Sequence, residues 1–235
     1  MDPRATAREI IASYESALVA LSHRIHEHPE LKFEEEQSSA WTAAVLSDAG
    51  LSVELGVCDL PTAFSCRTGD GPLHLAICAE YDALPAIGHA CGHNIIAAMA
   101  VGAGVALAPL ADELGLTVSV LGTPAEEGGG GKIFMLERGA FDGVHASMMV
   151  HPAPYEDPVP RVSAVAHFAV EYQGHESHAA AAPQLGVNAA DAFLPLGLAA
   201  STTNRLQLGP SVAIALSRTP TTLAYLAVSA DGQGA

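Results

Sequence analysis

The chain has 235 residues, of which 49% are hydrophobic and 15% are charged, so it can form a folded core and is not expected to be disordered. Its formal net charge of −16 would repel phosphate backbones, which argues against a nucleic-acid partner. The sequence contains no run of about 18 consecutive apolar residues and no amino-terminal signal peptide pattern. We therefore expect a cytoplasmic protein with no membrane partner, whose four cysteines do not form a disulfide framework.

Hydrophobic periodicity predicts helices and strands that alternate along the first part of the chain. The predicted helices cover residues 4–27, 34–49, 92–110 and 132–138. The predicted strands cover residues 51–57, 63–67, 73–79, 116–121 and 146–150. This alternation predicts an α/β fold in which helices cover both faces of a mixed sheet.

Polar residues with metal-binding side chains follow three of these predicted strands. The segment Glu80-Tyr81-Asp82 follows one strand, Glu126-Glu127 follows the next, and His151 follows the third. In open α/β sheets, ligands bind beyond the carboxyl ends of the strands. The three strand ends therefore indicate one shared crevice.

The segment from His89 to His93 contains one thiol and two imidazoles within five residues. In an extended backbone, Cys91 and His93 project to the same side and can bind one metal ion. A thiolate and an imidazole suit zinc well, and manganese or cobalt less well. The alternative is the start of a helix with incidental histidines.

The adjacent carboxylates Glu126 and Glu127 allow one side chain to bind metal while the other accepts a proton from water. A solvated acidic turn is the alternative interpretation. His151 could equally be a surface residue, and Asp82 could cap a turn rather than orient a ligand imidazole. The occurrence of all these residues at consecutive strand ends favours a metal centre.

Five ordered motifs resemble those of a known enzyme family. They are HEHPEL at 26–31, DALP at 82–85, HACGHN at 89–94, TPAEEGGGG at 123–131 and HP at 151–152. Together they closely resemble the aminoacylase and hippurate-hydrolase family of metallopeptidases. Within it, the branch with p-aminobenzoyl-glutamate hydrolase and the auxin-conjugate amidohydrolases is the most similar. The resemblance covers roughly residues 18 to 193.

The resemblance implies a metal-dependent amidohydrolase or dipeptidase that cleaves an amide bond in N-acyl-amino acids, p-aminobenzoyl-glutamate or small dipeptides. It implies two divalent metal ions, zinc or manganese with cobalt as a further option. The implied metal ligands are Cys91, His93, Glu127 and His151. Glu126 would be the general base and acid, and Asp82 would support it.

The resemblance also implies a domain organisation. Residues 1–160 would form the amino-terminal part of the metal-binding catalytic domain, and residues 161–193 would begin an incomplete α+β lid domain through which two chains form a homodimer. In that lid, His178 would polarise the scissile carbonyl of a substrate in the partner subunit. Asn188 would lie near the substrate.

From about residue 194 to residue 235 the sequence no longer resembles the family, because three prolines interrupt the expected lid helix and few charged residues remain. The family's last metal ligand is a histidine near its carboxyl terminus, and no histidine follows His178 here. We therefore expect the carboxyl-terminal part to be missing, through a frameshift, a truncation or a deletion. Two alternatives to an active enzyme stay open: an impaired fragment that binds metal or dimerises, and a single-metal binding or regulatory protein.

Overall fold

The computed structural model describes residues 2–158, 160, 176, 178, 180–182 and 185. The α-helices are α1 (Pro3–Glu27), α2 (Glu36–Asp48), α3 (His93–Leu107) and α4 (Gly131–Glu137). The strands are β1 (Val53–Leu55), β2 (Phe64–Thr68), β3 (Leu73–Ala79), β4 (Leu116–Gly122) and β5 (Ala146–Met148). Short 3-10 helices cover Val57–Asp59 and Ala108–Leu110. Each helix and strand lies at a segment for which the sequence predicts that type of element.

The five strands form one mixed sheet in the order β1-β2-β4-β3-β5. Strands β4, β3 and β5 are parallel, whereas β2 is antiparallel to both of its neighbours, β1 and β4. Helix α3 connects β3 to β4, as expected for a crossover between parallel strands. The carboxyl ends of the three parallel strands therefore meet at one edge of the sheet. The predicted α/β fold with a mixed sheet is confirmed.

Both faces of this sheet are covered. Successive residues of a strand point to opposite faces, and Ile77 and Val120 belong to the larger core cluster with residues of α1, α2 and α3. Their chain neighbours Ala76 and Leu121 belong to a second cluster with Met135 of α4. The three long helices therefore pack on one face, and α4 packs on the other.

Helix α2 shows how its two ends are fixed. Its carboxyl end is a Schellman motif, in which the Gly50 N–H bonds to the Ser47 carbonyl and the Leu51 N–H bonds to the Leu46 carbonyl. Gly50 has φ +83°, the left-handed conformation that glycine adopts most readily. Its amino end is capped by a residue outside the helix, because the backbone N–H groups of residues 37 and 38 donate to the carboxylate of Glu30.

Helix α3 is the one described helix that is long and apolar enough to pass a test for a membrane span. The window His93–Leu110 has a mean hydropathy of 1.6 over 18 residues, enough for a membrane span by length and composition, and 67% of it is buried inside the protein. A helix that is apolar on all sides belongs in a protein core or in a membrane. Here it packs on β3 and against α1 and α2, as a core helix does.

The chain divides into two compact units, residues 1–163 and residues 164–235. The sheet and its helices belong to the first unit. In the second unit, the backbone N–H groups of Ala180 and Ala181 donate to Nδ1 of the exposed His178. Most of residues 161–193, where the resemblance implies the start of a lid domain, fall outside the described residues, so the lid stays a prediction.

Candidate metal centre

The ends of the three parallel strands bring acidic residues and histidines together. Glu80 and Asp82 follow β3, Glu126 and Glu127 follow β4, and His151 follows β5. His93 is the first residue of α3 and is fully buried. The structure therefore places six of the eight site residues predicted from the sequence in one unit at one sheet edge: Asp82, Cys91, His93, Glu126, Glu127 and His151.

His93 lies at the middle of this group, and its two ring nitrogens have different partners. Nδ1 is 2.9 Å from Oδ1 of Asp82, and an ionised carboxylate only accepts, so Nδ1 donates this hydrogen bond. Nε2 is 3.5 Å from Glu80 Oε2 and 3.7 Å from Glu127 Oε1. Nε2, Glu80 Oε2 and Glu127 Oε1 are buried without a hydrogen-bond partner.

Cys91 and His151 are also close to His93 and to each other. The Cys91 Sγ is 3.5 Å from Nε2 of His151, and the rings of His93 and His151 are perpendicular with centroids 6.2 Å apart. Among the described residues, two sets of side chains each have ligand atoms that all lie within 4.8 Å of one another: Cys91 with His93 and His151, and Glu80 with His93 and Glu126. His93 is common to both sets, and Glu127 lies in neither of them.

Asp82 connects the strand ends through its second oxygen as well. Oδ2 accepts a 2.8 Å hydrogen bond from the backbone N–H of Glu127. Burial would raise the pKa of Asp82, but the hydrogen bonds with His93 and with the Glu127 backbone outweigh it, so the pKa is lowered. The Asp82 carboxylate is thus held in its ionised form, which orients both His93 and the residue pair 126–127.

The acidic surroundings change the protonation of the other donors. Burial lowers the pKa of His93, but the hydrogen bond and charge of Asp82 and the charges of Glu80 and Glu127 together raise it above 6.5. Burial and then the neighbouring Glu127 raise the pKa of the Cys91 thiol to about 12. Groups that hold protons this firmly sit in a strongly negative site, where a divalent cation can replace the protons.

Glu80 is a further donor at this site, and its role was not predicted from the sequence. It is buried, one of its oxygens forms an ion pair with Lys132 of α4, and the other faces Nε2 of His93. Its position just after β3, two residues before Asp82, is the sequence feature that could have indicated a role at this site. Lys132 could not be assigned from the sequence, because its contact with Glu80 spans 52 residues.

Gly92 gives the motif 89–94 its local shape. It has φ +86°, and a Cβ built on it would lie 2.9 Å from Cγ of Pro152, the residue after His151. Glycine avoids the strain of the left-handed conformation and also leaves room for the proline ring. Gly92 thereby allows the segment that carries Cys91 to approach the segment that carries His151.

The other two predicted site residues belong to the second unit. His178 belongs to the second unit, where it is exposed, and Asn188 is outside the described residues. Their roles at the substrate stay predictions.

The residues at the sheet edge fit a divalent metal ion. The thiol, the imidazoles and the carboxylates are the ligand types that zinc accepts, and carboxylates also suit manganese. Three buried donor atoms, His93 Nε2, Glu80 Oε2 and Glu127 Oε1, lack hydrogen-bond partners. Buried polar atoms are almost always paired, so this convergence indicates atoms that a cation would satisfy. The carboxylate on Nδ1 of His93 is the usual support of a metal-binding imidazole.

A comparison with known protein families agrees with this geometry. The family model "Peptidase family M20/M25/M40" matches residues 76–221. The chain belongs to this peptidase family. The matched range includes the motifs around Asp82, Cys91, Glu126 and His151, and it extends into the segment beyond residue 194.

Two curated relatives each match more than two thirds of the chain. The chain is 40% identical over 200 residues to the Xaa-Arg dipeptidase of Mus musculus. This match covers 79% of this chain and 46% of that protein. It is 34% identical over 192 residues to one of the subunits of p-aminobenzoyl-glutamate hydrolase from Escherichia coli (strain K12), covering 73% of this chain and 40% of that protein. The chain therefore spans about half the length of the curated relatives it matches. The family resemblance predicted from the motifs is confirmed.

A solved structure shares the fold. The YXEP protein of Bacillus subtilis, described as a dinuclear metal binding peptidase from the M20 family, superposes with a TM-score of 0.53 at 28% identity. The superposition covers 58% of this chain and 42% of that one. Dinuclear metal binding is therefore described for a relative that shares this fold.

Proposed function

We propose that this chain forms the metal-binding part of an M20 amidohydrolase that cleaves the amide bond of a small acyl-amino acid, p-aminobenzoyl-glutamate or a dipeptide. The observation that carries the proposal is the buried His93, whose Nδ1 bonds to Asp82 while its unpartnered Nε2 faces Glu80 and Glu127. The Xaa-Arg dipeptidase and the p-aminobenzoyl-glutamate hydrolase among its relatives support the substrate class.

The proposed metal ligands are Cys91, His93, Glu127 and His151, with Glu80 as a further donor beside them. A divalent cation held there supplies Lewis acidity, which polarises a carbonyl and makes water a better nucleophile near neutral pH. Zinc and manganese are the proposed ions, because the thiolate and imidazoles favour zinc and the carboxylates also suit manganese. Asp82 orients His93 and anchors the backbone of Glu127.

Glu126 is the proposed general base and acid. Its side chain is 43% exposed, whereas that of Glu127 is 17% exposed, so Glu126 is the carboxylate more open to water and substrate. Its Oε2 lies 3.8 Å from Nε2 of His93, close to the donor atoms but without a hydrogen bond to them. A carboxylate placed there can take a proton from water and pass it to the leaving amine.

The remaining assignments are proposals that rest on the family resemblance. His178 and Asn188 would contact substrate, and two chains would pair through the lid segment to form a cytoplasmic homodimer. These roles belong to the second unit and require the whole enzyme.

Replacing Glu126 by glutamine tests the proposal. The whole enzyme, loaded with zinc or manganese, is offered hippurate, p-aminobenzoyl-glutamate and a panel of dipeptides, and metal content is measured alongside. We expect E126Q to keep its metal and to lower the parent's turnover by about 10²–10⁴-fold, as is typical of general acid–base catalysis. The exposed Glu113, replaced by glutamine, is the matched control. Loss of metal in E126Q would assign Glu126 as a ligand instead, and unchanged turnover would remove its role.

A further inference from the structure

Glu35 is a buried carboxylate to which the proposed chemistry gives no role. Its side chain is fully buried, and burial raises its pKa above 4.5. It stands immediately before α2, yet its side chain makes no hydrogen bond to the start of that helix. Glu30 accepts from the backbone N–H groups there instead. Capping of α2 therefore does not explain why a carboxylate is buried at position 35.

The Glu35 side chain instead bonds to the loop that carries the two catalytic-site glutamates. Its Oε1 accepts a 2.8 Å hydrogen bond from the backbone N–H of Ala125, which is 90 residues away in sequence. Ala125 is buried and has φ +58°, a left-handed conformation that is strained for a residue with a Cβ. The next two residues are Glu126 and Glu127, so the backbone direction at Ala125 sets where both carboxylates point.

The other oxygen of Glu35 reaches the neighbouring strand end. Oε2 accepts a 3.0 Å hydrogen bond from the hydroxyl of Thr62, and the Thr62 carbonyl accepts one from the hydroxyl of the buried Tyr81. Tyr81 lies between Glu80 and Asp82. One buried carboxylate thus connects the loop after β4 with the segment after β3, and both of these segments supply donors to the candidate metal centre.

We propose that Glu35 is a positioning residue that holds Ala125 in its left-handed conformation and so directs Glu126 and Glu127 toward His93. The inference rests on the proposed function, because it assigns Glu35 an effect on metal binding. Glu35 itself does not contact the metal or the substrate. It acts through the Ala125 N–H, which without an acceptor would be left buried and unpaired.

The test measures the zinc affinity of the 235-residue chain by competition with a chromogenic chelator, and the visible spectrum of the cobalt-loaded chain as a report on ligand geometry. We expect Glu35→Ala to weaken zinc binding by about 10–100-fold, as loss of supporting groups around metal ligands typically does. We expect it also to change the cobalt spectrum. Glu35→Gln should stay near the parent value, because its amide oxygen accepts from Ala125 and its amide nitrogen donates to the Thr62 hydroxyl.

Two further variants separate positioning from general destabilisation. Adding Ala125→Gly to Glu35→Ala should recover part of the affinity, because glycine adopts φ near +58° without strain. Leu46→Ala, a buried substitution in α2, should lower stability and leave zinc affinity unchanged. Circular dichroism verifies folding of each variant. If Glu35→Ala does not fold, Glu35→Asp replaces it, because the shorter side chain withdraws the acceptor from Ala125.

The outcomes distinguish the two proposals. A parent chain that binds no zinc would overturn the proposed function and this inference with it. Equal affinity in the parent and Glu35→Ala would overturn the inference alone. Three other results would also overturn the inference alone. Glu35→Gln or Leu46→Ala could lose as much zinc affinity as Glu35→Ala does, or adding Ala125→Gly to Glu35→Ala could recover none of the lost affinity.

Discussion

The two ring nitrogens of His93 differ in their partners: Nδ1 is hydrogen-bonded to Asp82, and Nε2 has no hydrogen-bond partner. This difference makes His93 the key residue of the candidate metal centre. Asp82 fixes the proton on Nδ1, so the lone pair of Nε2 can point toward the unpartnered oxygens of Glu80 and Glu127. Burial, followed by the neighbouring Glu127 and the charges of Glu126 and Glu80, raises the pKa of the Cys91 thiol to about 12. A cation that binds here must therefore displace the thiol proton, and binding should strengthen as the pH rises.

Glu35 gives a pH prediction for the metal-free chain. Its pKa is raised in the folded state, so the folded chain keeps a proton that the unfolded chain has lost once the pH exceeds about 4.5. This contribution to the free energy of unfolding is complete below that pH and is lost as the pH rises through the folded pKa. Glutamine does not titrate. We therefore expect the stability of Glu35→Gln, relative to the parent, to increase as the pH rises from about 4.5 toward neutrality.

Urea denaturation of the metal-free chains across this pH range measures the difference. Glu36→Gln is the matched control, because Glu36 is the next residue along the chain and is exposed. Its stability profile should follow that of the parent. If the stability of Glu35→Gln changed with pH in parallel with that of the parent, the pKa of Glu35 would not be raised in the folded chain.

At the scale of elements, the start of α3 and the segment after β5 meet at Gly92 and Pro152. Gly92→Ala adds both left-handed strain, about 1–2 kcal/mol, and a clash with the proline ring, about 1–3 kcal/mol. Gly50→Ala is the matched control, because Gly50 has φ +83° and open space around it. We expect both variants to be destabilised in urea and only Gly92→Ala to bind zinc more weakly. Equal zinc affinity in the two would show that this contact does not position Cys91 and His151.

The elements were largely predictable because their signals are local. Apolar periodicity predicted a helix over residues 4–27, and α1 covers Pro3–Glu27. The signal for the end of α2 is also local, since Gly50 follows the predicted helix and a left-handed carboxyl cap favours glycine. The assignment of Asp82, Glu126 and His151 to one crevice needed only the rule that ligands bind beyond the carboxyl ends of the strands in an open α/β sheet. Cys91 was assigned from its own motif and from the family resemblance.

Contacts between distant residues were not predictable. The sequence shows that positions 30, 35 and 80 are glutamates, but it does not show which group each carboxylate contacts. Glu30 caps a helix, Glu35 bonds to Ala125, and Glu80 pairs with Lys132 and faces His93. Periodicity reports which face of an element is buried. It does not report which of two neighbouring polar residues turns inward at a strand end.

At the scale of the whole molecule, one unit of the chain gathers donors that are far apart in sequence. Cys91 and His151 are 60 residues apart, and their side chains approach within 3.5 Å. The parallel order β4-β3-β5 makes this approach possible, because it places three strand ends side by side. The relatives that share this region are about twice as long. Metal binding can therefore be tested on this chain directly, whereas substrate choice and dimer formation are proposals for the whole enzyme.

Metal retention tests the central claim most directly. The purified chain is incubated with zinc, desalted and analysed for metal content, together with Cys91→Ser and His93→Gln. Cys58→Ser is the matched control, because Cys58 is also a half-buried free thiol but contacts Arg138 instead of the site. We predict that the parent and Cys58→Ser retain at least one zinc ion per chain and that both site variants lose it. A parent that retains no metal, or a His93→Gln variant that retains as much as the parent, would contradict the account.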